Sequence, residues 1–373
     1  MPYIPPHIQK LKPYQSARDL YQGDYLFLDA NENCFGPLVG PEDIVGDVTL
    51  SDYPDTDSTR LREAMANYYD LDPDETAIFN GSDEAIPDIL LAFSSPGDKV
   101  AGLDIGFGMY RSFCQIHDRE YIEIPTNKDF KIEKKEELSQ QLKSSRVCFL
   151  DVPNNPSGQI QSVEDIEWMI EQMPEGLFVL DLAYFGFLDS EEIKNFIKRV
   201  SKYENLLIMY SFSKTWSLAG ARIGAVFGNK NLINALIKVR IPYHVNSVAE
   251  ALAVKALEKH EEMQRRCDLI KEYRADLMRK LSMIKLSDSG QLGESILQVY
   301  PSQANFILVR FPENSQEIFG RLVEEHRIIL RYFGAGDTLA GKDNKLAHCV
   351  RITVGTPEQN EELLEALKKI LSS

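Results

Sequence analysis

Positive charge is in short supply. Lys and Arg number 41 against 57 Asp and Glu, a formal net charge of −16 over 373 residues. That balance argues against nucleic acid or an anionic membrane as partner, since both are polyanions held by clustered cations. Cysteine is scarce too. The five present (Cys34, Cys114, Cys148, Cys267, Cys349) are odd in number and scattered, which suits reduced core residues of a cytosolic protein better than a disulfide framework. With no C-x-x-C or H-E-x-x-H spacing, a structural metal is not expected. No apolar run approaches a membrane span, and residues 1–10 lack a signal-peptide pattern, so the expected location is cytoplasmic. Internal repeats and low-complexity tracts are missing as well. At 43% hydrophobic and 26% charged residues, the composition is that of a folded globular protein, long enough for two domains.

What the sequence does contain is an alternation. Residues 1–24, rich in Pro and Tyr, read as an extended arm. Strands are predicted at 25–29, 77–79, 99–103, 121–124, 147–152, 177–182 and 206–209. Between them, helices are predicted at 59–69, from Gly81 to Phe93, and at 108–117, 133–143, 162–173 and 190–203. Apolar strands alternating with amphipathic helices indicate a doubly wound, mostly parallel sheet covered on both faces. Near Asn246 the pattern changes to one long, bent helical stretch reaching Leu281. Strands at 295–300, 305–310 and 349–353 and helices at 315–326 and 358–371 follow, an α+β composition suited to a smaller C-terminal domain.

In such sheets ligands collect at the carboxyl ends of strands. The segment Ser211 to Gly224, S-F-S-K-T-W-S-L-A-G-A-R-I-G, follows the apolar run Leu206–Met209. Lys214 stands there among small hydroxyl residues. A desolvated lysine loses its proton readily and becomes a nucleophile able to form a Schiff base. Eight residues on, Arg222 offers a permanent charge for bidentate phosphate binding, and Gly220 and Gly224 allow close backbone approach. An imine-forming lysine beside a phosphate clamp suggests pyridoxal phosphate, although a surface turn would read the same way. Gly81-Ser82-Asp83-Glu84 opens a helix after a strand, which suits an anion or a plain helix cap. Tyr110, after Gly106-Phe107-Gly108, offers a flat face to an aromatic cofactor or packs in the core. Asn155, in V-P-N-N-P-S-G at 152–158, is held in an irregular loop where it can donate to a phenolate oxygen or mark an Asn-Pro turn. Asp181 ends an apolar strand, and a buried carboxylate there needs a cation or a helix to cap.

Taken together these segments resemble the histidinol-phosphate aminotransferase family, a branch of the class I/II aminotransferases that use pyridoxal phosphate (PLP). The resemblance runs from Leu11-Lys12-Pro13-Tyr14-Gln15-Ser16-Ala17-Arg18, through L-D-A-N-E-N at 28–33, to R-I-T-V-G-T at 351–356. It implies a fold-type I α/β architecture divided into an N-terminal arm (1–24), an N-terminal part of the small domain (25–45), a large PLP-binding domain (46–250) and a C-terminal small domain (251–373). It further implies Lys214 as the Schiff-base lysine and proton carrier, Asp181 at the pyridine nitrogen, and Asn155 and Tyr184 at the 3′-oxygen. Tyr110 would stack on the ring, while Ser82, Asp83, Ser211, Ser213 and Arg222 would hold the phosphate. Tyr53, in D-Y-P-D at 52–55, would reach that phosphate across a homodimer interface. Arg331 and Arg351 would bind substrate anions, with Tyr14, Asn31 and Tyr243 beside them. The implied activity exchanges histidinol phosphate and 2-oxoglutarate for imidazole-acetol phosphate and glutamate, a step of histidine biosynthesis. Alternatives are a transaminase for another phosphorylated or aromatic amine, a PLP decarboxylase of a phosphorylated amino acid, and a non-enzymatic regulator. The sequence departs from the family pattern at Cys34 (Pro), Ser157 (Thr) and Leu182 (Glu), and its 286–300 and 332–348 stretches look extended on the substrate side.

Overall fold

The computed structural model describes residues 2–11, 17–284, 296–334 and 345–372. Its strands are β1 (Leu26–Leu28), β2 (Thr76–Phe79), β3 (Lys99–Leu103), β4 (Glu120–Ile124), β5 (Val147–Asp151), β6 (Leu177–Asp181), β7 (Leu206–Ser211), β8 (Gly224–Gly228), β9 (Gln298–Val299), β10 (Phe306–Arg310), β11 (Ile328–Phe333) and β12 (Cys349–Thr353). Short helices α1 (Pro6–Gln9) and α2 (Ala17–Leu20) come first, then α3 (Thr59–Tyr69), α4 (Ser82–Phe93), α5 (Gly108–Ile116), α6 (Glu136–Ser144), α7 (Val163–Glu171) and α8 (Glu191–Lys194). The C-terminal half adds α9 (Lys230–Ile237), α10 (Ser247–Glu258), α11 (His260–Ser282), α12 (Ser315–His326) and α13 (Pro357–Leu371). Among the described residues, no helix is long and apolar enough to cross a membrane.

The larger sheet has the order β2-β8-β7-β6-β5-β3-β4. Strands β3 to β7 pair in parallel, and β8 runs against both β7 and β2. Strands β5, β6 and β7 are buried along their whole length, as unbroken apolar strands must be when helices cover both faces. Alternate residues serve opposite cores. Phe178, Leu180, Leu206 and Ile208 lie in one, and Leu177, Val179, Leu207 and Met209 in the other. The first of these cores continues through Cys267, Ile270 and Leu277 of α11 to Leu330, Ile307 and Ile352 of the second sheet. That sheet has the order β1-β11-β12-β10-β9, with β1 parallel to β11 and the other pairs antiparallel.

Several expectations change. The helical stretch predicted from Asn246 to Leu281 breaks at Lys259 into α10 and α11. The predicted helix at 190–203 is only α8 followed by a 3-10 turn at Ile197–Lys202, where the chain tightens to bury Phe196, Ile197 and Val200. The arm is not wholly extended, since it holds α1 and α2. Strands β8 and β11 and helix α9 were not predicted. Strand β8, G-A-V-F-G, is short and glycine-bounded, so it carries no periodic signal of its own.

Candidate active site

The carboxyl ends of β5, β6 and β7 lie side by side: Asp151 is in register with Asp181, and Asp181 with Met209. Just past β7 the chain makes a tight excursion, closed by the Leu218 N–H donating to the Phe212 carbonyl over 3.1 Å. Trp216 anchors it. Its indole is fully buried, lies on Phe212 at 5.6 Å, and donates to the Tyr210 hydroxyl, which also receives the Tyr69 hydroxyl over 2.8 Å. Lys214 projects from this braced turn, and its Nζ donates to the Ala30 carbonyl over 2.7 Å. Burial first, and the Arg351 charge second, depress its ammonium to about 8, against the pull of Glu32 and Asp83. A half-buried amine so tuned is a nucleophile and proton carrier near neutral pH.

Beside it lies an anion cradle. Helix α4 is preceded by Gly81, which offers no side-chain cap, so its first-turn N–H groups lack an internal acceptor. A Cβ on Gly224 would come within 2.4 Å of the Ser82 nitrogen, so only glycine lets β8 meet the start of α4. Gly81 has φ 82° and would place a Cβ 2.7 Å from Arg222 Nη2. The Arg222 guanidinium therefore lies directly over the helix entrance, and it donates to Asp83 Oδ2 over 3.0 Å. Gly224 is also in register with Ser211 and with Phe79, which aligns the ends of β7, β8 and β2. Across the turn, Ser211 Oγ accepts from the Ser213 N–H over 3.1 Å.

Asp181 is 4% exposed. Burial pushes its carboxyl up to about 6, opposed by the Tyr110 hydroxyl, which donates over 2.7 Å, and by the Ala183 N–H over 2.9 Å. Tyr110 is held on one ring face and at its hydroxyl. Its ring stacks on Phe149 at 4.7 Å and 9°, and its hydroxyl is spent on Asp181.

The second sheet completes the site. Asn31, held in the left-handed region at φ 54°, donates from Nδ2 to the Tyr184 hydroxyl over 2.8 Å. Its backbone N–H donates to Thr353 Oγ1 over 3.0 Å, and its carbonyl accepts from Asn305 Nδ2 over 3.0 Å. Asn155 Nδ2 donates to the same Tyr184 hydroxyl over 3.4 Å, and Asn155 Oδ1 accepts from Arg351 Nη1. The other Arg351 nitrogen, Nη2, donates to the Asp29 carbonyl. Burial pushes the Tyr184 phenol up to about 12 against the lowering effects of Arg351 and Asn31. Arg331 is the cross-strand partner of Arg351 and lies 5.0 Å from the Phe333 ring centroid.

Lys214, Asn31, Tyr184, Asn155 and Arg351 thus form one connected group, with Asp181 and the α4 cradle beside it. Tyr53 and Tyr243 stand apart. They stack on each other at 4.7 Å, 82% and 47% exposed, and share no hydrogen bond or ring contact with Lys214, Asp181 or Tyr184 among the described residues. Tyr14, most of its flanking motif, and the cores of the 286–300 and 332–348 stretches lie outside the described residues. Sequence reasoning missed the carbonyls of Asp29 and Ala30, the Asn33 amide that donates to the Lys214 carbonyl over 3.2 Å, and Asp151. Backbone acceptors leave no mark in a sequence. Asp151 carried a weak one, a carboxylate ending an apolar strand as Asp181 does.

The donor set matches the chemistry of PLP: an amine for an aldehyde, an uncapped helix start with Arg222 for a phosphate, and a buried carboxylate for a pyridinium nitrogen. The model of the family "Aminotransferase class I and II" matches residues 20–367. The histidinol-phosphate aminotransferase of Bacteroides fragilis is 34% identical over 367 residues, covering 98% of this chain and 97% of that one. The enzyme of the same name from Ruminiclostridium cellulolyticum is 35% identical over 375 residues, covering 97% and 96%. A solved structure of histidinol-phosphate aminotransferase from Sinorhizobium meliloti, in complex with pyridoxal-5'-phosphate, shares the fold with a TM-score of 0.81 at 24% identity, covering 99% of this chain and 97% of that one.

Proposed function

This chain belongs to the class I and II aminotransferases, and we propose that it transfers an amino group between histidinol phosphate and 2-oxoglutarate, giving imidazole-acetol phosphate and glutamate. The observation that carries this reading is the pair Arg331 and Arg351, cross-strand neighbours on β11 and β12, with Arg351 close enough to Lys214 to depress its pKa. Two guanidinium groups beside a nucleophilic amine suit compounds that are all anions, two of them phosphate esters and two dicarboxylates. The full-length similarity to relatives named histidinol-phosphate aminotransferase supports the same substrate.

When bound, PLP supplies the electron sink that makes the substrate Cα–H acidic. Lys214 is the residue that would hold the cofactor aldehyde carbon and would carry the proton to and from the substrate Cα and the cofactor. Its depressed pKa keeps a substantial fraction of the amine free near neutral pH. Asp181, kept ionised with help from the Tyr110 hydroxyl, would pair with the pyridine nitrogen and hold a proton on it. Ser82 and Asp83 through their backbone, with Ser211, Ser213 and Arg222, would bind the phosphate. Asn155 and Tyr184 would hydrogen-bond the 3′-oxygen. Arg331 and Arg351 bind the substrate anion, and Asn31, Tyr14 and Tyr243 border it.

The working assembly in this reading is a cytoplasmic homodimer. Val45, Leu50, Tyr53 and Ile241 are 83%, 80%, 82% and 69% exposed, an apolar set suited to a second copy. Tyr53 would then complete the partner's phosphate site. The arm, the two small-domain pieces and the large domain are assigned to 1–24, 25–45 with 251–373, and 46–250. The test is a panel of amino donors with 2-oxoglutarate, following glutamate formation. Histidinol phosphate should give the highest kcat/KM. Faster turnover of unphosphorylated histidinol or phenylalanine would refute the substrate while leaving the transaminase intact.

A further inference from the structure

Asp151 ends β5 and takes no part in the chemistry above. It stands in register with Asp181 on the neighbouring strand, so two carboxylates, 5% and 4% exposed, sit side by side at the sheet's carboxyl edge. Asp181 uses its oxygens on Tyr110 and Ala183. Asp151 turns the other way, into the loop at 152–158. Its Oδ2 accepts from the Asn155 N–H over 2.7 Å, and its Oδ1 accepts from Asn154 Nδ2 over 3.1 Å. With Pro153 and Pro156 this loop has few N–H groups to hold itself. Much of its other bracing passes through Asn154, whose Nδ2 also donates to the Ile105 carbonyl over 2.9 Å and whose Oδ1 accepts from the Ser157 N–H over 3.1 Å. Asn155 has no such side-chain bracing to its own loop. Its amide is stretched between the Tyr184 hydroxyl and Arg351 Nη1, so its backbone N–H to Asp151 is its tie to the loop's base. Burying a carboxylate is costly, and burial lifts Asp151 to about 7.

We infer that Asp151 is a positioning residue of this site: through the Asn155 N–H it sets where the Asn155 amide stands between Tyr184 and Arg351, and so how tightly Arg351 holds the substrate anion. The inference rests on the aminotransferase reading for the meaning of Arg351. It makes an asymmetric claim, because Lys214 and Asp181 are held by separate contacts. Loss of Asp151 should damage anion binding more than turnover.

The test uses the holoenzyme. In Asp151→Ala, the Kd for succinate, a non-reacting dicarboxylate, and the KM for 2-oxoglutarate should each rise about tenfold, with kcat within about threefold, as expected for one buried hydrogen bond. Amide exchange over 154–159 should quicken about tenfold while β7 is unchanged. Asp151→Asn, which keeps an acceptor for the Asn155 N–H and gives up the Asn154 contact, should bring succinate binding back to within about threefold of wild type. Unchanged succinate affinity and unchanged exchange in folded Asp151→Ala would overturn the inference. So would Asp151→Asn binding succinate as weakly as Asp151→Ala, which would assign the effect to charge rather than to the contact. If Asp151→Ala does not fold, Asp151→Ser, too short to reach the Asn155 N–H, carries the same expectations. Failure of the aminotransferase reading looks different, since wild type itself would then neither bind succinate nor transaminate.

Discussion

Removing Arg351 perturbs two quantities that can be measured apart. Its guanidinium donates to Asn155 Oδ1 and the Asp29 carbonyl, which fixes the fork, and its charge is the second-largest cause lowering the Lys214 pKa. A charge-assisted hydrogen bond to a substrate carboxylate or phosphate contributes about 1.5–3 kcal/mol. Arg351→Ala should therefore cut kcat/KM by about tenfold to a hundredfold, and in both half-reactions, because in the proposed function histidinol phosphate and 2-oxoglutarate use the same arginine in turn. The second effect has a definite sign. A nearby positive charge disfavours the ammonium, so its removal should move Lys214 upward from about 8 toward its ordinary 10.5. The pH dependence of Lys214 reductive methylation in the cofactor-free protein, followed by peptide mass spectrometry, reads that midpoint. Arg351→Lys separates the two: it keeps the charge and loses the planar fork, so the midpoint should stay near wild type while affinity stays poor. Damage to one half-reaction only, or a Lys214 midpoint that stays or falls in Arg351→Ala, would refute this reasoning.

Borohydride reduction of the purified protein, followed by peptide mapping, should place a pyridoxyl group on Lys214; finding it on another lysine would end the PLP assignment of that residue. Inactive Lys214→Ala mixed with inactive Tyr53→Ala should recover activity through heterodimers, whereas a fully active monomer in sedimentation would exclude a shared site. Burial lifts Asp181 from 3.8 to about 6, so between those values the folded chain keeps a proton that the unfolded chain has released. Wild-type stability without cofactor should then fall through that window as pH rises. Urea denaturation should show Asp181→Asn gaining on wild type between pH 4 and pH 6 by up to about 3 kcal/mol, and a constant or shrinking difference would count against it.

Much of the large sheet was legible because its strands are short-range objects. Runs such as Leu177–Leu180 and Leu206–Met209 are apolar throughout, which only a strand buried on both faces tolerates, and the polar residue ending each marks the edge where ligands gather. Lys214 was legible for a similar reason, as a lysine at such an edge among small hydroxyl residues. What the sequence could not determine is which distant segments meet. Strand β1 pairs with β11 some three hundred positions away, and that pairing carries the Ala30 carbonyl to Lys214 and Asn31 to Tyr184. The reversal of β8 sets Gly224 against Ser82. Cross-strand register places Arg331 opposite Arg351, and the Phe149 face decides which way Tyr110 points. Local patterns record the preferences of neighbouring residues for a backbone shape and a buried face. Register, strand direction across a sheet and backbone acceptors are settled only when the two sheets close over one shared core, and that closure makes the site.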